Sequence, residues 1–572
     1  MAGHHDADGT ASADTTIKDY STTREPSISE KVQQARDEGH DADIPSDIGY
    51  VVDEAGEKQR RVSIASKRRA SQATIRSANH VEGDPEKQPT ADIEATDDEN
   101  VVWWDGPDDP QNPYNWPSWR KVMNVVLVSA LTFVTPLASS MFAPGVPELL
   151  REFETTSREL ATFCVSVYVL GFAAGPMLFA PLSEIYGRLP IYHATNLGFI
   201  VFLIACAKAP NMSTFIAFRF LSGVFGACPL TNGGGTIADL VRQEKRGAAM
   251  AGFAIGPLLG PIIGPVVGGF VSDALGWRWV FWILAITSGT ISTVFLVISK
   301  ETYAPILLKR KTDKLVKDSG NTLLRSKLDS GLSPKDYFNR GILRPCKMIL
   351  FSPISIISAL YVGLTYAYLY LLFTTITPLF IQNYGFTVIQ AGLAFLGLGV
   401  GSMAGVIIFS VYSDKYIKKK AKEEDEKAAA EGREPEGMKP EYRLPPLKPG
   451  AILLPVGLFI YGWTAEKQVH WIVPIIGTGV IGVGNLLIFM ALQLYLVDSF
   501  ALYSASALAA NTMVRSIMGA ILPLAALPMY ETLGLGWGNS LLGFVAAALI
   551  PAPWLIMRYG EFLRKKYEIK NL

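Results

Sequence analysis

Charged side chains standing in otherwise apolar stretches are where this sequence holds its chemistry. Arg219 lies within Thr214-Phe-Ile-Ala-Phe-Arg219-Phe-Leu-Ser-Gly223-Val-Phe-Gly226, with both glycines at helical spacing from it. A charge near the centre of a lipid-embedded helix costs about 2.5–3.5 kcal/mol on insertion scales, so it turns to a cavity or a partner. Arg515, in Asn511-Thr-Met-Val-Arg515-Ser-Ile-Met-Gly519, has similar standing, with snorkelling to the membrane surface as its alternative. In Ala180-Pro-Leu-Ser-Glu184-Ile-Tyr-Gly187-Arg188 a carboxylate precedes an arginine by four residues across a glycine turn. A pair there would latch neighbouring helix ends and could break and re-form during a rocking motion. Ser410-Val-Tyr-Ser-Asp414-Lys415 repeats the arrangement later in the chain, which indicates an internal duplication; a solvated charge cluster is the alternative for either copy. Asp239 and Asp498 stand near further helix ends, and no carboxylate lies deep in an apolar run. Arg219, Glu184, Gly187, Arg188, Asp239, Asp414, Asp498 and Arg515 are therefore the candidate proton-coupling and gating residues, with the proton carrier itself left unassigned among Glu184, Asp239 and Asp498.

A second feature is the run Gly256-Pro257-Leu-Leu-Gly260-Pro261-Ile-Ile-Gly264-Pro265-Val-Val-Gly268-Gly269. Glycine at every fourth position lays a bare stripe along a helix and lets a neighbouring backbone approach closely. Each proline removes a backbone donor, which lipid tolerates only where neighbours re-satisfy the freed groups. A generic packing face would account for the glycines alone. Prolines in phase with them point to a stiff, bent, closely packed seam between moving helices. Candidate substrate contacts are Tyr361 and Tyr368, on one helical stripe with Thr365, and Asn485, Phe489 and Gln493, spaced four apart on another helix. Tyr366, Tyr370 and Phe373 form a separate stripe. Aromatic faces with a few neutral hydrogen-bonding groups suit planar, amphipathic or cationic molecules; ordinary helix packing is the alternative for the tyrosines.

These residues need membrane helices to hold them. The 572 residues are 49% hydrophobic with zero formal net charge, an average over two unlike regions. Residues 1–102 are polar and charge-rich, so this segment is expected to be a disordered tail. Apolar runs of about 20 residues, the length that crosses a bilayer core, follow from Val122. Twelve spans are predicted near 122–143, 159–181, 191–209, 213–233, 248–271, 279–299, 353–377, 388–411, 450–464, 471–495, 503–528 and 540–558. They divide into a six-helix bundle over 103–299, a polar central loop over 300–352, a second bundle over 353–560 and a tail over 561–572. The expected fold class is an all-α membrane protein of two six-helix bundles. Lysine and arginine crowd the central loop, the loop after the eighth span and the C-terminal tail, while the alternate loops (530–539 among them) are short or basic-poor. That asymmetry places both termini in the cytosol. Trp103, Trp104, Trp116 and Trp119 are expected to anchor at the membrane surface.

Several classes are excluded. No apolar signal-peptide region opens the chain, and no phosphate-cradling GxxxxGK[ST] motif supports direct ATP coupling. The spans hold no paired nucleophile and base and no metal-ligand cluster, so neither an enzyme, a metal site nor a bound cofactor is expected, nor a nucleic-acid partner. The four cysteines form no disulfide framework. In the tail, Arg60-Arg61-Val62-Ser63 and Arg68-Arg69-Ala70-Ser71 suit a kinase that reads cationic side chains, with chance clustering as the alternative.

Three motifs together resemble the major facilitator superfamily and, within it, the fungal twelve-span drug:proton antiporters. They are Pro181-Leu-Ser-Glu184-Ile-Tyr-Gly187-Arg188, Arg219-Phe-Leu-Ser-Gly223 and the glycine–proline run ending at Gly268-Gly269. The opening Asp105-Gly-Pro-Asp-Asp-Pro-Gln-Asn112-Pro-Tyr-Asn115-Trp116-Pro117 and the later Leu496-Val-Asp498-Ser-Phe are similar to that group as well. The resemblance covers Trp103 to the C-terminus; Ala180 and Leu189 depart from the loop motif, where glycine and a second basic residue are usual. It implies two bundles rocking about one cavity, and proton-driven export of amphipathic small molecules by a monomer in the plasma membrane or, alternatively, the vacuolar membrane. It also implies that Arg219 takes part in proton coupling. Carriage of a single metabolite, such as a polyamine or secondary metabolite, and a non-transporting membrane sensor remain the alternatives. Phosphopeptide mapping from growing cells is expected to find phosphate on Ser63 or Ser71, and both unmodified would remove the kinase from the account.

Overall fold

The computed structural model describes residues 100–329, 331–430, 439–500 and 503–567. Ser63, Ser71 and the Asp414 side chain lie outside the described parts. The first half contains α1 (Ser118–Ser140), the short α2 (Val146–Glu152), α3 (Arg158–Tyr186), α4 (Arg188–Ala207), α5 (Met212–Leu240), α6 (Gln243–Leu275) and α7 (Trp277–Ile298). Two polar helices follow, α8 (Ala304–Ser319) and α9 (Pro334–Phe351). The second half contains α10 (Pro353–Tyr384), α11 (Val388–Ala430), α12 (Leu447–Glu466), α13 (Ile472–Ser499), α14 (Ser504–Ile521), α15 (Ala526–Ala548) and α16 (Ala552–Lys566). Eleven described segments are long and apolar enough to cross a membrane, the last being the 63-residue stretch Ser504–Lys566. That stretch turns back at Gly534, whose φ of +77° is not helical. Tyr530 Oη donates to Asn539 Oδ1 at 3.1 Å, although nine residues of straight helix would part them by about 13 Å. The stretch therefore holds both the eleventh and twelfth predicted spans.

The structure corrects several boundaries. The predicted loop over 530–539 is the single residue Gly534, and the predicted span 540–558 is broken between α15 and α16 at 549–551. The central loop is largely helical, and α11 continues to Ala430 beyond its apolar part, which ends at Ser413. Trp104 and Trp116 are buried, whereas Trp119 is 61% exposed, so the tryptophans do not act as one surface belt.

Both halves repeat one packing pattern. In the first, α1 packs on α6, α3 on α5, α4 on α5 and α4 on α7. In the second, α10 packs on α14, α11 on α13, α12 on α13 and α12 on α15. The halves meet through α3 with α14 and α6 with α11, two contacts related by the same exchange of halves. Each half has its own apolar core: Val134, Phe142, Tyr168, Phe215, Trp277 and Phe281 in the first, and Val362, Phe380, Leu454, Tyr461, Leu487 and Tyr495 among those in the second.

Three span-to-span turns consist of one glycine in a conformation that other residues rarely adopt: Gly187 (φ +100°), Gly276 (φ +87°) and Gly534 (φ +77°). The first amides beyond a helix start have no partner within the helix. A distant carboxylate supplies the acceptor each time. Glu301 accepts from Arg188 N at 3.0 Å and Leu189 N at 3.2 Å, Glu148 from Trp277 N at 2.8 Å, and Glu466 from Gly536 N at 2.5 Å. Where a serine or asparagine stands at the helix start, the caps are local: Ser157 before α3, Asn211 before α5, Ser333 before α9 and Ser352 before α10.

The glycine stripe of α6 faces α1 of its own half. A Cβ at Gly256 would lie 3.1 Å from Phe133 N, one at Gly260 2.8 Å from Leu137 N and one at Gly264 3.0 Å from Met141 N; Gly268 abuts the Met141 carbonyl. The stripe is thus a close seam between two helices of one half. A different edge of α6 meets α11: Gly269 with Val388 and Gly392, Pro265 with Gly392, and Ile262 with Gly399. Pro257, Pro261 and Pro265 sit within a helix that runs unbroken from Gln243 to Leu275. Because no flexible side chain can yield at Gly260, Gly260→Val is expected to destabilise the protein by about 1–3 kcal/mol or more. Gly289, with open space around it, should accept alanine with no loss. Thermal unfolding of both variants in nanodiscs checks the contrast.

Candidate functional site

Two charged assemblies stand out, one buried at the middle of the molecule and one at the end that carries α8 and α9. In the central assembly Arg219 is fully buried on α5. Its Nη1 donates to Ala138 O at 3.0 Å, Nη2 to Ser139 O at 3.3 Å and Nε to Cys164 O at 3.3 Å. Ala138 and Ser139 belong to the last turn of α1, whose carbonyls lack intrahelical donors and attract a cation. The Tyr168, Phe281 and Phe142 rings surround the guanidinium at 4.6, 5.6 and 5.8 Å. No carboxylate pairs with it among the described residues. This geometry fixes the end of α1 against α3 and α5.

A polar chain leads from Arg219 into the second half. Tyr370 Oη on α10 donates to Ser139 Oγ on α1 at 2.9 Å. The Tyr366 ring lies 5.0 Å from that of Tyr370, and the Arg515 guanidinium on α14 lies 5.1 Å from the Tyr366 centroid. On its other side Arg515 meets the Phe489 ring at 5.3 Å. Two buried arginines, one from each half, are therefore joined through Ser139, Tyr370 and Tyr366. Arg515 does not snorkel; it is 7% exposed.

The tyrosine stripe at the seam is Tyr366 and Tyr370, rather than the expected Tyr361 and Tyr368. Tyr368 Oη donates to Leu542 O on α15 at 2.9 Å, within the second half, and the Tyr361 hydroxyl is buried with no partner. The choice between the stripes needed the rotation of α10, which period alone does not supply. Asn485, Phe489 and Gln493 do share a face. Asn485 Nδ2 donates to Thr365 O at 2.7 Å and Gln493 accepts from Asn511 Nδ2 at 2.9 Å, so both amides find protein partners inside the second half. In this state that face is packed on α10 and α14 rather than open to a central cavity.

At the other assembly, Arg188 pairs with Asp239 on α5 (Nε to Oδ2, 3.4 Å) and not with Glu184. Its Nη1 donates to Ser183 Oγ at 2.6 Å, and its guanidinium stands 4.8 Å from the Tyr303 ring centroid. Burial pushes the Tyr303 hydroxyl well above its usual range, so that ring stays neutral. Gly187 is held by Glu301, a residue that sequence reasoning missed; the signal was an acid directly after the sixth span, in Ser299-Lys-Glu301-Thr-Tyr303. Glu301 Oε1 also accepts from Thr302 N and Tyr303 N, each at 3.0 Å. Glu184 instead lines a cavity of about 90 Å³ between α3, α9 and α14, with Pro181, Arg340, Arg344 and Tyr503.

In the second half Arg443 pairs with Asp498 at 2.9 Å, joining the start of α12 to the end of α13. That is where Arg188 and Asp239 stand on α4 and α5. The duplicated chemistry therefore includes Arg443 with Asp498, a pair that the search around Asp414 and Lys415 overlooked because the two residues are 55 positions apart.

A strap crosses the same end. Val101 and Val102 pair in parallel with Arg325 and Ser326. Lys311 Nζ holds Trp103 O at 3.0 Å, Asp105 Oδ1 at 2.6 Å and Asp109 Oδ2 at 3.4 Å. Burial raises the Asp109 carboxyl, but the amides of Asp105 and Gln111 and the Lys311 ammonium outweigh it and hold the carboxyl below its usual range.

The Major Facilitator Superfamily family model matches residues 128–523. The MFS-type transporter tndD of Aspergillus flavipes is 54% identical over 489 residues, 85% of this chain and 90% of that protein. The MFS-type transporter penM of Penicillium rubens is 52% identical, covering 82% and 91%, and the efflux pump radE of Floropilus chiversii is 50% identical, covering 83% and 87%. Among solved structures, the partially occluded inward-open xylose transporter XylE from E. coli aligns with a TM-score of 0.55 at 15% identity, over 76% of this chain and 97% of that one.

Removing either member of the Arg188–Asp239 pair breaks a buried ion pair, so Arg188→Gln and Asp239→Asn are each expected to destabilise by about 3–5 kcal/mol. The double variant should lose clearly less than the sum, as thermal unfolding of all four chains will show.

Proposed function

Since this chain belongs to the major facilitator superfamily and is a multi-pass membrane transporter, we propose that it exports amphipathic small molecules by alternating access, driven by a proton gradient. The observation that carries the reading is the pair of exchange-related contacts, α3 with α14 and α6 with α11, through which the two packed halves meet. Packed cores move as units, so the low-cost motion is a pivot about those two contacts. Direction is supported by the relative named an efflux pump.

Proton exchange falls to Glu184 and Asp239, which flank Arg188 where α3 meets α9 and α4 adjoins α5. Opening of the Glu184 cavity between α3 and α14 as the halves pivot would admit water beside Arg188 and let Asp239 take a proton, and closing it would release that proton. Arg219 is given a structural role, holding the end of α1. The alternate placement of lysines and arginines supports cytosolic termini, with the protein in the plasma membrane, working as a monomer. A kinase acting on Ser63 or Ser71 would then reach the tail.

Everted plasma-membrane vesicles with an imposed pH gradient test the reading. Overexpression should raise gradient-dependent uptake of a panel of amphipathic compounds, and deletion should sensitise the host to the same compounds. Asp239→Asn should abolish the gradient dependence while leaving exchange between internal and external substrate. Uptake that ignores the gradient would remove proton coupling, and no uptake of any compound would remove export.

A further inference from the structure

Arg515 and Arg219 are both buried cations in apolar helices, yet their surroundings differ in one decisive respect. Arg219 spends its donors on three backbone carbonyls. Arg515 is 7% exposed, its Nε is sealed from solvent without a partner, and no carbonyl, amide or carboxylate among the described residues accepts from its guanidinium. A buried guanidinium with no acceptor is a strong, unfilled demand for negative charge. The helices around it cannot meet that demand. The only acid on α10, α13 and α14 is Asp498, nine residues beyond Phe489, about 13 Å along the helix, and already paired with Arg443.

The walls beside this cation are aromatic. Tyr366 and Phe489 flank it at 5.1 and 5.3 Å, and the Oδ1 of Asn511, one turn before Arg515 on α14, is also buried without a partner. Tyr366 leads through Tyr370 to Ser139 at the seam between the halves. Separating the halves at that seam would therefore uncover the cation and its two rings together.

We propose that Arg515 is the anion-binding centre of a substrate subsite, flanked by Tyr366 and Phe489, which takes flat aromatic molecules bearing a carboxylate or an equally acidic group. The proposal rests on the export reading for its cargo, and it narrows the expected cationic or neutral amphipaths to anionic ones. The guanidinium pairs with the ligand's anionic group, the rings stack on its flat body, and the Asn511 carbonyl accepts from a ligand donor.

The test uses the full chain in nanodiscs and scintillation-proximity binding of radiolabelled 2-naphthylacetate, competed by its neutral amide and by 2-naphthylmethyl-trimethylammonium. The wild-type chain is expected to bind the anion about tenfold or more tightly than the amide, the effect of a charge-assisted hydrogen bond, and to prefer it to the cation. Arg515→Gln should erase that preference and Arg515→Lys should keep part of it. Phe489→Leu should weaken the anion and the amide alike, leaving their ratio unchanged. No specific naphthylacetate binding by the wild-type chain, equal binding of anion and amide, or an unchanged preference in Arg515→Gln would overturn the subsite. The wild-type ratio decides the matter even if Arg515→Gln fails to fold. Naphthylacetate binding that depends on Arg515 in a protein that moves nothing in vesicles would keep the subsite and end the export reading. Vesicle export indifferent to ligand charge and to Arg515 would do the reverse.

Discussion

A helix that begins inside an apolar layer leaves amides that water cannot reach, and the architecture depends on how those amides are satisfied. At Gly187, Gly276 and Gly534 the chain reverses within a single residue that has no side chain to cap the next helix. Glu301, Glu148 and Glu466 fill the role from other parts of the sequence. Each carboxylate thereby does two jobs: it completes a helix start and ties that hairpin to a third element. Glu301 ties the start of α4 to the segment after α7, and Glu466 ties α15 to the end of α12.

The same rule governs the cations. Arg219 finds the uncapped carbonyls of α1, so one helix end and one buried charge satisfy each other. Arg188 finds Asp239 and Ser183, and Arg443 finds Asp498. Arg515 is the exception, flanked by rings and with no acceptor taking its donors among the described residues. The contrast separates charges that build the fold from a charge held ready for something outside it. It also makes the two halves unequal partners: their helix packing is duplicated, while their buried chemistry is not.

Much of this was legible in the sequence, and the gaps have physical causes. Apolar runs of bilayer length mark every span because lipid demands continuous helix, so the twofold arrangement could be read from Val122 onward. Glycine spacing on α6 correctly announced a close approach, but a stripe of glycines does not say which neighbour comes close; α1 was the answer for Gly256, Gly260, Gly264 and Gly268. Side-chain partners distant in sequence were illegible. Glu301 lies more than a hundred residues from the α4 amides it holds, and Asp239 competes with the nearer Glu184 for Arg188. Tyr366 and Tyr370 could not be preferred to Tyr361 and Tyr368 without knowing how α10 is turned. The turn at Gly534 was placed within 530–539, but its tightness was hidden because hydropathy continues across it.

Single-residue reversals have a mechanical consequence. They contain no slack, so α3 with α4, α6 with α7, and the two arms about Gly534 are each obliged to travel as one rigid lever. The freedom to hinge is left to the longer crossings, chiefly the segment between α7 and α10, to which the strap of residues 101–109 is fastened through Arg325, Ser326 and Lys311. A chain tied in this way moves by swinging whole hairpins, and any residue inserted beside those glycines would loosen the linkage instead of merely lengthening a loop.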